Sequence, residues 1–240
     1  MRLSACLLTF NEERWIDLCI EHMYDYVDEI ICLDAGSTDD TIKILKRYDK
    51  VQYYIIPQPS QVRGCDGWNE GDRRNIIQDV ACGDWILCLG CDELLDDIVW
   101  EELDSMLDQD ENVLGWGFYR INYYYSFDYH KPIHQPANGG EVRIYQNLPE
   151  TKWETGNAHN FLRYGNIRMY DHPNVINTKH LIHHMHRIGI RGYPAVYDRR
   201  HEDPNEMTEE FAKQFHHRAD NYYFKPIELP KILKEKGIIK

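Results

Sequence analysis

Along the first hundred positions, short, nearly charge-free apolar runs alternate with stretches in which apolar residues return every three or four places. The runs at 3–9, 29–33, 51–56 and 85–89 have strand length, and their unbroken apolar character predicts burial on both faces. The stretch 12–26 predicts a helix with Trp15, Leu18, Cys19 and Met23 on its apolar face. A polar turn, Asp34-Ala35-Gly36-Ser37-Thr38-Asp39-Asp40-Thr41, then caps a helix that continues to about residue 48. Pro57 and Pro59 end the third strand, and a loop with Arg63, Gly64 and Gly67 leads to a helix over 71–81. This alternation predicts parallel strands joined by helical crossovers, an α/β architecture.

Past Trp100 the texture changes. A helix is expected at 101–107, an aromatic-rich strand at 115–124 and another strand at 141–146. Histidines gather at His180, His183, His184 and His186. A helix is predicted over 204–223, with Pro204 in its first turn. Without internal repeats or low-complexity tracts, the 240 residues read as one domain with a C-terminal helical appendage.

A hydrophobic content of 42% supports a real core, and a formal charge of −13 argues against nucleic acid as a partner. The seven cysteines are scattered through apolar runs, the pattern of reduced, buried thiols. Cys88 and Cys91 have C-x-x-C spacing but no second pair, which is weak as a zinc or redox signal. No apolar run approaches the roughly 18 residues that cross a bilayer, and no signal peptide is evident, so a soluble, cytoplasmic protein is expected. The basic, amphipathic segment 231–240 is compatible with a weak peripheral membrane contact, although a solvated tail is the commoner use of such a sequence.

Three strand ends carry polar clusters: Thr9-Phe10-Asn11-Glu12-Glu13, the Asp34–Asp39 turn, and Asp92-Glu93 after Trp85-Ile86-Leu87-Cys88-Leu89-Gly90-Cys91. In a sheet of like-pointing strands all three face one edge, where α/β sheets bind ligands. A carboxylate such as Asp34 can accept a hydrogen bond from a base or ribose, Gly36 lets the chain turn closely, and two acids can hold a cation that serves a phosphate.

The order T-F-N-E-E, D-A-G-S-T-D-D-T, R-R-N and D-W-I-L-C-L-G-C-D-E resembles the GT-A-fold nucleotide-sugar glycosyltransferases, specifically family 2. The resemblance is strong over residues 1 to about 100 and continues weakly through 143–146 and 153–160. It implies a Rossmann-like, mixed and mostly parallel sheet flanked by helices. Residues 1–100 would bind the nucleotide-sugar, 101–190 the acceptor, and 191–240 would form the appendage. Thr9, Asn11 and Glu12 would line the nucleotide pocket, with Asp34 on the base, expected to be uracil. Ser37 would shape the same turn or cap the helix after it, and Arg74 would approach the donor, unless it makes an ordinary helix-surface salt bridge. Asp92 would bind Mn²⁺ or Mg²⁺ on the donor pyrophosphate, with His184 or His186 as a further ligand. The implied reaction moves a hexose from a UDP-sugar to a hydroxyl, expected to be on a glycan, with inversion.

Two positions depart from the family pattern. Gly90 stands where the first aspartate of D-x-D is usual, and Asn160 stands where relatives often carry an acid, leaving Glu154, Glu141 and His159 as candidate general bases. The aromatic group Tyr119, Tyr123, Tyr124, Tyr125, Phe127 and Tyr129 would stack on sugars or, as is commoner, pack the core. The rival readings are a sugar-phosphate nucleotidyltransferase, which lacks support because Thr9–Arg14 holds no glycine-rich basic loop, and a nucleotide-sugar-binding protein with a degenerate site.

Overall fold

The structure is a computed structural model that describes residues 1–57, 70–109, 112–132, 140–155, 161–188 and 227–239. The first half follows the strand–helix alternation: β1 (Leu3–Thr9), α1 (Ile16–Met23), β2 (Glu29–Asp34), α2 (Thr41–Leu45), β3 (Val51–Ile55), α3 (Glu70–Val80) and β4 (Trp85–Gly90). Then come β5 (Glu93–Leu95), α4 (Asp97–Leu107), β6 (Gly115–Pro132), β7 (Glu141–Gln146) and β11 (Val175–Ile188). Between β7 and β11 lie three short strands, β8 (Thr151–Trp153), β9 (Leu162–Tyr164) and β10 (Ile167–Arg168). A last short helix, α5 (Lys231–Glu235), packs Leu233 into the core. The predicted helix at 204–223 and most of the appendage lie outside the described residues.

Alternation explains why the first strands read as unbroken apolar runs. Leu3, Ala5 and Leu7 of β1 and Trp85, Leu87 and Leu89 of β4 face a core shared with α1 and α4. Cys6, Ile86 and Cys88 face the opposite core, shared with Ile77 of α3 and the small sheet. Both faces are dry, as parallel strands between helical layers require.

The main sheet has the order β3-β2-β1-β4-β7-β6-β11-β5, with β3, β2, β1 and β4 parallel. Beyond β4 it becomes mixed: β7 is antiparallel to β4 and β6, β11 is parallel to β6, and β5 is antiparallel to β11. This sheet cannot lie flat. β4 and β5 are four strand spacings apart, about 19 Å in a flat sheet, whereas the chain from Gly90 to Glu93 spans at most about 11 Å. The second half therefore curls until β5 returns beside the end of β4, and Cys91-Asp92 forms the corner where the curl closes. The fold is a mixed, largely parallel α/β sheet with helices on both faces. No helix among the described residues is long and apolar enough to cross a membrane.

Helix α1 starts four residues later than its periodicity predicts. The backbone N–H groups of Glu12 and Glu13 are taken by Thr41 Oγ1 (2.7 Å) and Asp39 Oδ2 (3.1 Å), so that segment belongs to a turn. In contrast, α4 gains a turn before residue 101 because Val99 and Trp100 are buried.

Candidate active site at the carboxyl edge of the sheet

The ends of β1 and β2 are strapped together by side chains. Asp34 is fully buried. Its Oδ1 accepts the N–H groups of Gly36 (2.8 Å) and Ser37 (2.7 Å), and its Oδ2 accepts the hydroxyls of Thr9 (2.9 Å) and Ser37 (2.5 Å). Four hydrogen bonds occupy this carboxylate, so Asp34 organises the turn, where direct contact with a base was expected. Gly36 turns the chain at φ +93°, a conformation that glycine adopts without steric cost.

Asn11 sits at φ +55°, in the left-handed region that asparagine tolerates better than most side chains. Its N–H donates to Ser37 Oγ (2.8 Å), and its Oδ1 accepts the Thr38 N–H (2.8 Å). Ser37 is thus a bridge between two turns. The start of α2 is capped by Asp39, whose Oδ1 accepts the N–H and hydroxyl of Thr41 at 3.0 and 2.5 Å. Thr9, Asn11, Glu12, Asp34 and Ser37 therefore converge on one edge as expected, with Asn11 exposed and Glu12 half-buried beside the strap.

The arginines of α3 divide the work differently from the expectation. Arg74 is buried behind β4, paired with Glu70 at 2.6 and 2.9 Å and hydrogen-bonded to the Cys88 thiol, with its guanidinium 4.7 Å from the centre of the Trp153 ring. Its guanidinium is buried, and its carboxylate partner is one turn away on the same helix. Arg73 instead donates to the carbonyls of Leu33 (3.2 Å) and Ile56 (3.5 Å), beneath the Asp34 turn. The charge of Asp34 opposes the fall in Arg73's pKa that burial causes. The sequence pattern did not separate two adjacent arginines, because which one faces the turn depends on the helical phase after residues 58–69. Asn75 clamps α3 to the small sheet through the backbone of Trp153, at 2.9 and 3.0 Å.

At the β4–β5 corner the two acids part ways. Glu93 turns inward: its Oε2 accepts the Gly90 N–H (2.8 Å), and its Oε1 pairs with Arg143 (2.9 Å) and Arg120 (3.5 Å). Burial pushes the Glu93 pKa up, but Arg143, His184 and Arg120 outweigh it and hold the carboxyl below its ordinary value. A Cβ at Gly90 would lie 2.9 Å from Asp92 Oδ1 and 3.2 Å from Glu93 Cδ, so the missing side chain leaves room for both carboxylates to fold back on the strand. Asp92 Oδ2 lies 3.3 Å from His184 Nε2, and its carbonyl accepts the Met185 N–H.

His183 is buried on the far face between Tyr123 (2.6 Å) and Asp96 (2.7 Å), while His184 faces Asp92. Two ligands at about 2.1 Å from one ion lie about 3.0–3.4 Å apart, so Asp92 and His184 fit as partners on a divalent cation. Among the described residues no three His, Cys, Asp or Glu side chains gather as a metal cluster. The side chain of His186 lies outside the described residues.

The candidate bases are differently placed. Glu141 pairs with Arg143 (2.7 Å) and Arg120 (3.1 Å), joining the Glu93 network beside the corner. Glu154 lies at the end of β8 in the small sheet, hydrogen-bonded to Arg163 and 3.4 Å from Arg168. Burial raises its pKa, but these arginines overcome that effect and lower it, which makes Glu154 a weaker base. His159 and Asn160 lie outside the described residues. Arg120, Arg143 and Asn122, which surround the corner, come from strands remote in sequence and have no local signature. Tyr123 packs in the core, as the commoner reading of the aromatic group held.

The model of Glycosyl transferase family 2 matches residues 4–182. The chain belongs to that family. Its sheet is that of a GT-A fold. A lipopolysaccharide core biosynthesis glycosyltransferase, LpsC of Rhizobium meliloti, is 28% identical over 127 residues, 53% of this chain and 45% of LpsC. TarS of S. aureus is similar in structure, with a TM-score of 0.49, 14% identity and coverage of 77% of this chain and 37% of TarS. Glucosyl-3-phosphoglycerate synthase from Mycobacterium tuberculosis, solved with Mn²⁺, UDP and glucosyl-3-phosphoglycerate, gives a TM-score of 0.39, 22% identity and coverage of 50% and 44%. The matched segments span less than half the length of these proteins.

Proposed function

We propose that this family 2 chain transfers a hexose from a UDP-sugar to a hydroxyl acceptor on a glycan, with inversion. The observation that carries this reading is the carboxylate–imidazole pair of Asp92 and His184, set at the same sheet edge as the strapped turns of Thr9–Glu12 and Asp34–Ser37. Residues 1–100 would hold the donor, and 101–190 the acceptor. Asn11, Glu12 and the turn organised by Asp34 would border the nucleotide, with Arg73 beneath them supplying positive charge.

Asp92 and His184 would hold Mn²⁺ or Mg²⁺. When bound, such a cation neutralises charge growing on the leaving diphosphate, where opposite unit charges 4 Å apart gain roughly 4 kcal/mol at an effective dielectric near 20. The chain itself supplies orientation and a proton acceptor for the attacking hydroxyl. Glu141 is supported as that acceptor by its link through Arg143 to the Asp92 corner; Glu154, with its lowered pKa, is the weaker candidate.

The test is UDP release from UDP-glucose and UDP-galactose with and without Mn²⁺. Mn²⁺-stimulated release, mostly lost in Asp92→Asn, is the expected result. If no nucleotide-sugar in a broad panel binds or turns over, the proposal fails. The arginine pairing of both described candidate bases favours one rival, a binding protein without turnover; a donor that binds and is never consumed would establish it.

A further inference from the structure

On the site face of the sheet, His184 of β11 stands directly opposite Asn122 of β6 in the parallel register. The ring Nδ1 is 2.5 Å from Asn122 Oδ1, and Nε2 is 3.3 Å from Asp92 Oδ2. An amide oxygen only accepts, so the ring nitrogen facing it must carry hydrogen. With that hydrogen on Nδ1, Nε2 is the nitrogen whose lone pair can be given to a cation lying between the ring and the Asp92 carboxylate, in place of the hydrogen that would otherwise face that acceptor. We propose that Asn122 is a positioning residue that holds His184 in the Nδ1–H tautomer and so presents Nε2, beside Asp92, to a divalent cation. This rests on the metal-assisted reading above, and it adds a residue that fixes which ring nitrogen carries the hydrogen.

The backbone around this contact is fixed from behind. His183 is locked between Tyr123 and Asp96 on the far face, and Asp96 Oδ2 accepts the Leu181 N–H at 2.7 Å. β11 is therefore held in register independently of Asn122. Partners that orient a ligand histidine typically contribute 10- to 100-fold to metal affinity.

The test compares the full chain with Asn122→Leu, which has no acceptor, Asn122→Asp, which keeps one, and Tyr123→Phe, which perturbs the far face alone. Two readouts are taken: Mn²⁺ affinity by titration, alone and with UDP, and the His184 tautomer by ¹⁵N NMR in protein saturated with diamagnetic Mg²⁺. The expected result is an Nδ1–H ring in the wild type, a shift toward Nε2–H with 10- to 100-fold weaker Mn²⁺ binding in Asn122→Leu, and affinity within about threefold of wild type in Asn122→Asp and Tyr123→Phe. Asn122→Leu binding Mn²⁺ as tightly as wild type, or an Nε2–H ring in the wild type, overturns the role of Asn122 alone. Should Asn122→Leu not fold, the wild-type tautomer and the Asn122→Asp affinity decide it. Wild-type protein that turns over a donor without binding Mn²⁺ overturns this inference and leaves transfer standing. Wild-type protein that binds Mn²⁺ with the expected tautomer but accepts no donor supports the site and overturns the transferase reading.

Discussion

Two buried carboxylates at the same sheet edge are satisfied in opposite ways. Asp34 is held by dipoles, two backbone N–H groups and two hydroxyls within 2.9 Å. Glu93 is held chiefly by full charges, Arg143 and Arg120, with a single backbone N–H on its other oxygen. Dipoles from neighbouring turns belong to the local chain and arrive with it. Guanidinium groups must be brought from other strands, and once buried they are as costly to strand as the acid they serve. The Asp34 turn is thus built to tolerate loss of charge, whereas the corner beside Asp92 is built on charge balance.

The comparison is sharpest at Glu93. Glu93→Gln, or Arg143→Met from the other side, removes the closest charge partner of a buried ion and should destabilise by up to about 3–5 kcal/mol, read from urea denaturation. Acid should narrow the Arg143→Met deficit. In the folded wild type the Glu93 carboxyl is held below its ordinary value, so its pairing stabilises fully above the unfolded pKa of about 4.3 and is lost as pH falls through the lower folded value. Without Arg143, its largest opposing charge, the upward push of burial on Glu93 gains weight, and protonation relieves it.

At Asp34 the effect should be smaller and depend on shape rather than charge. Asp34→Ala strands two amides and two hydroxyls and should cost about 2–3 kcal/mol, whereas Asp34→Asn should cost no more than about 1. If Asp34→Asn proves as damaging as Glu93→Gln in the same denaturation series, the distinction between dipoles and charges collapses. Smallest of all, Gly90→Ala pushes against both corner acids and should cost about 1 kcal/mol, with a greater proportional loss of Mn²⁺ affinity in the same titration.

Much of this was legible in the sequence, and the misses share a cause. β1, β2 and β4 were readable to within a residue because apolar runs buried on both faces leave a local imprint, and the half-exposed edge strand β3 was readable because prolines follow it. Helix α1 was overextended because its first turn is captured by Thr41 and Asp39, which come from the next strand–helix unit. The small sheet escaped because strands of two or three residues carry no periodicity. Asp34 and Glu93 were readable as carboxylates at strand ends, but their orientation was not. Whether such a carboxylate faces ligand or protein is decided by partners such as Arg120, Arg143 and Ser37, and two of these three lie far away along the chain.

The curl that brings β5 back to β4 also orders events in time. Thr9, Asp34 and the Cys91-Asp92 corner can come together through short crossovers as soon as β4 exists. His184 arrives only when β11, late in the chain, slots between β6 and β5. Closing so long a loop is the slow step for any chain, and during synthesis it must wait for those residues to emerge. A half-made molecule would carry the donor-side turn without the histidine, so completion of the sheet and assembly of the Asp92–His184 pair are one event.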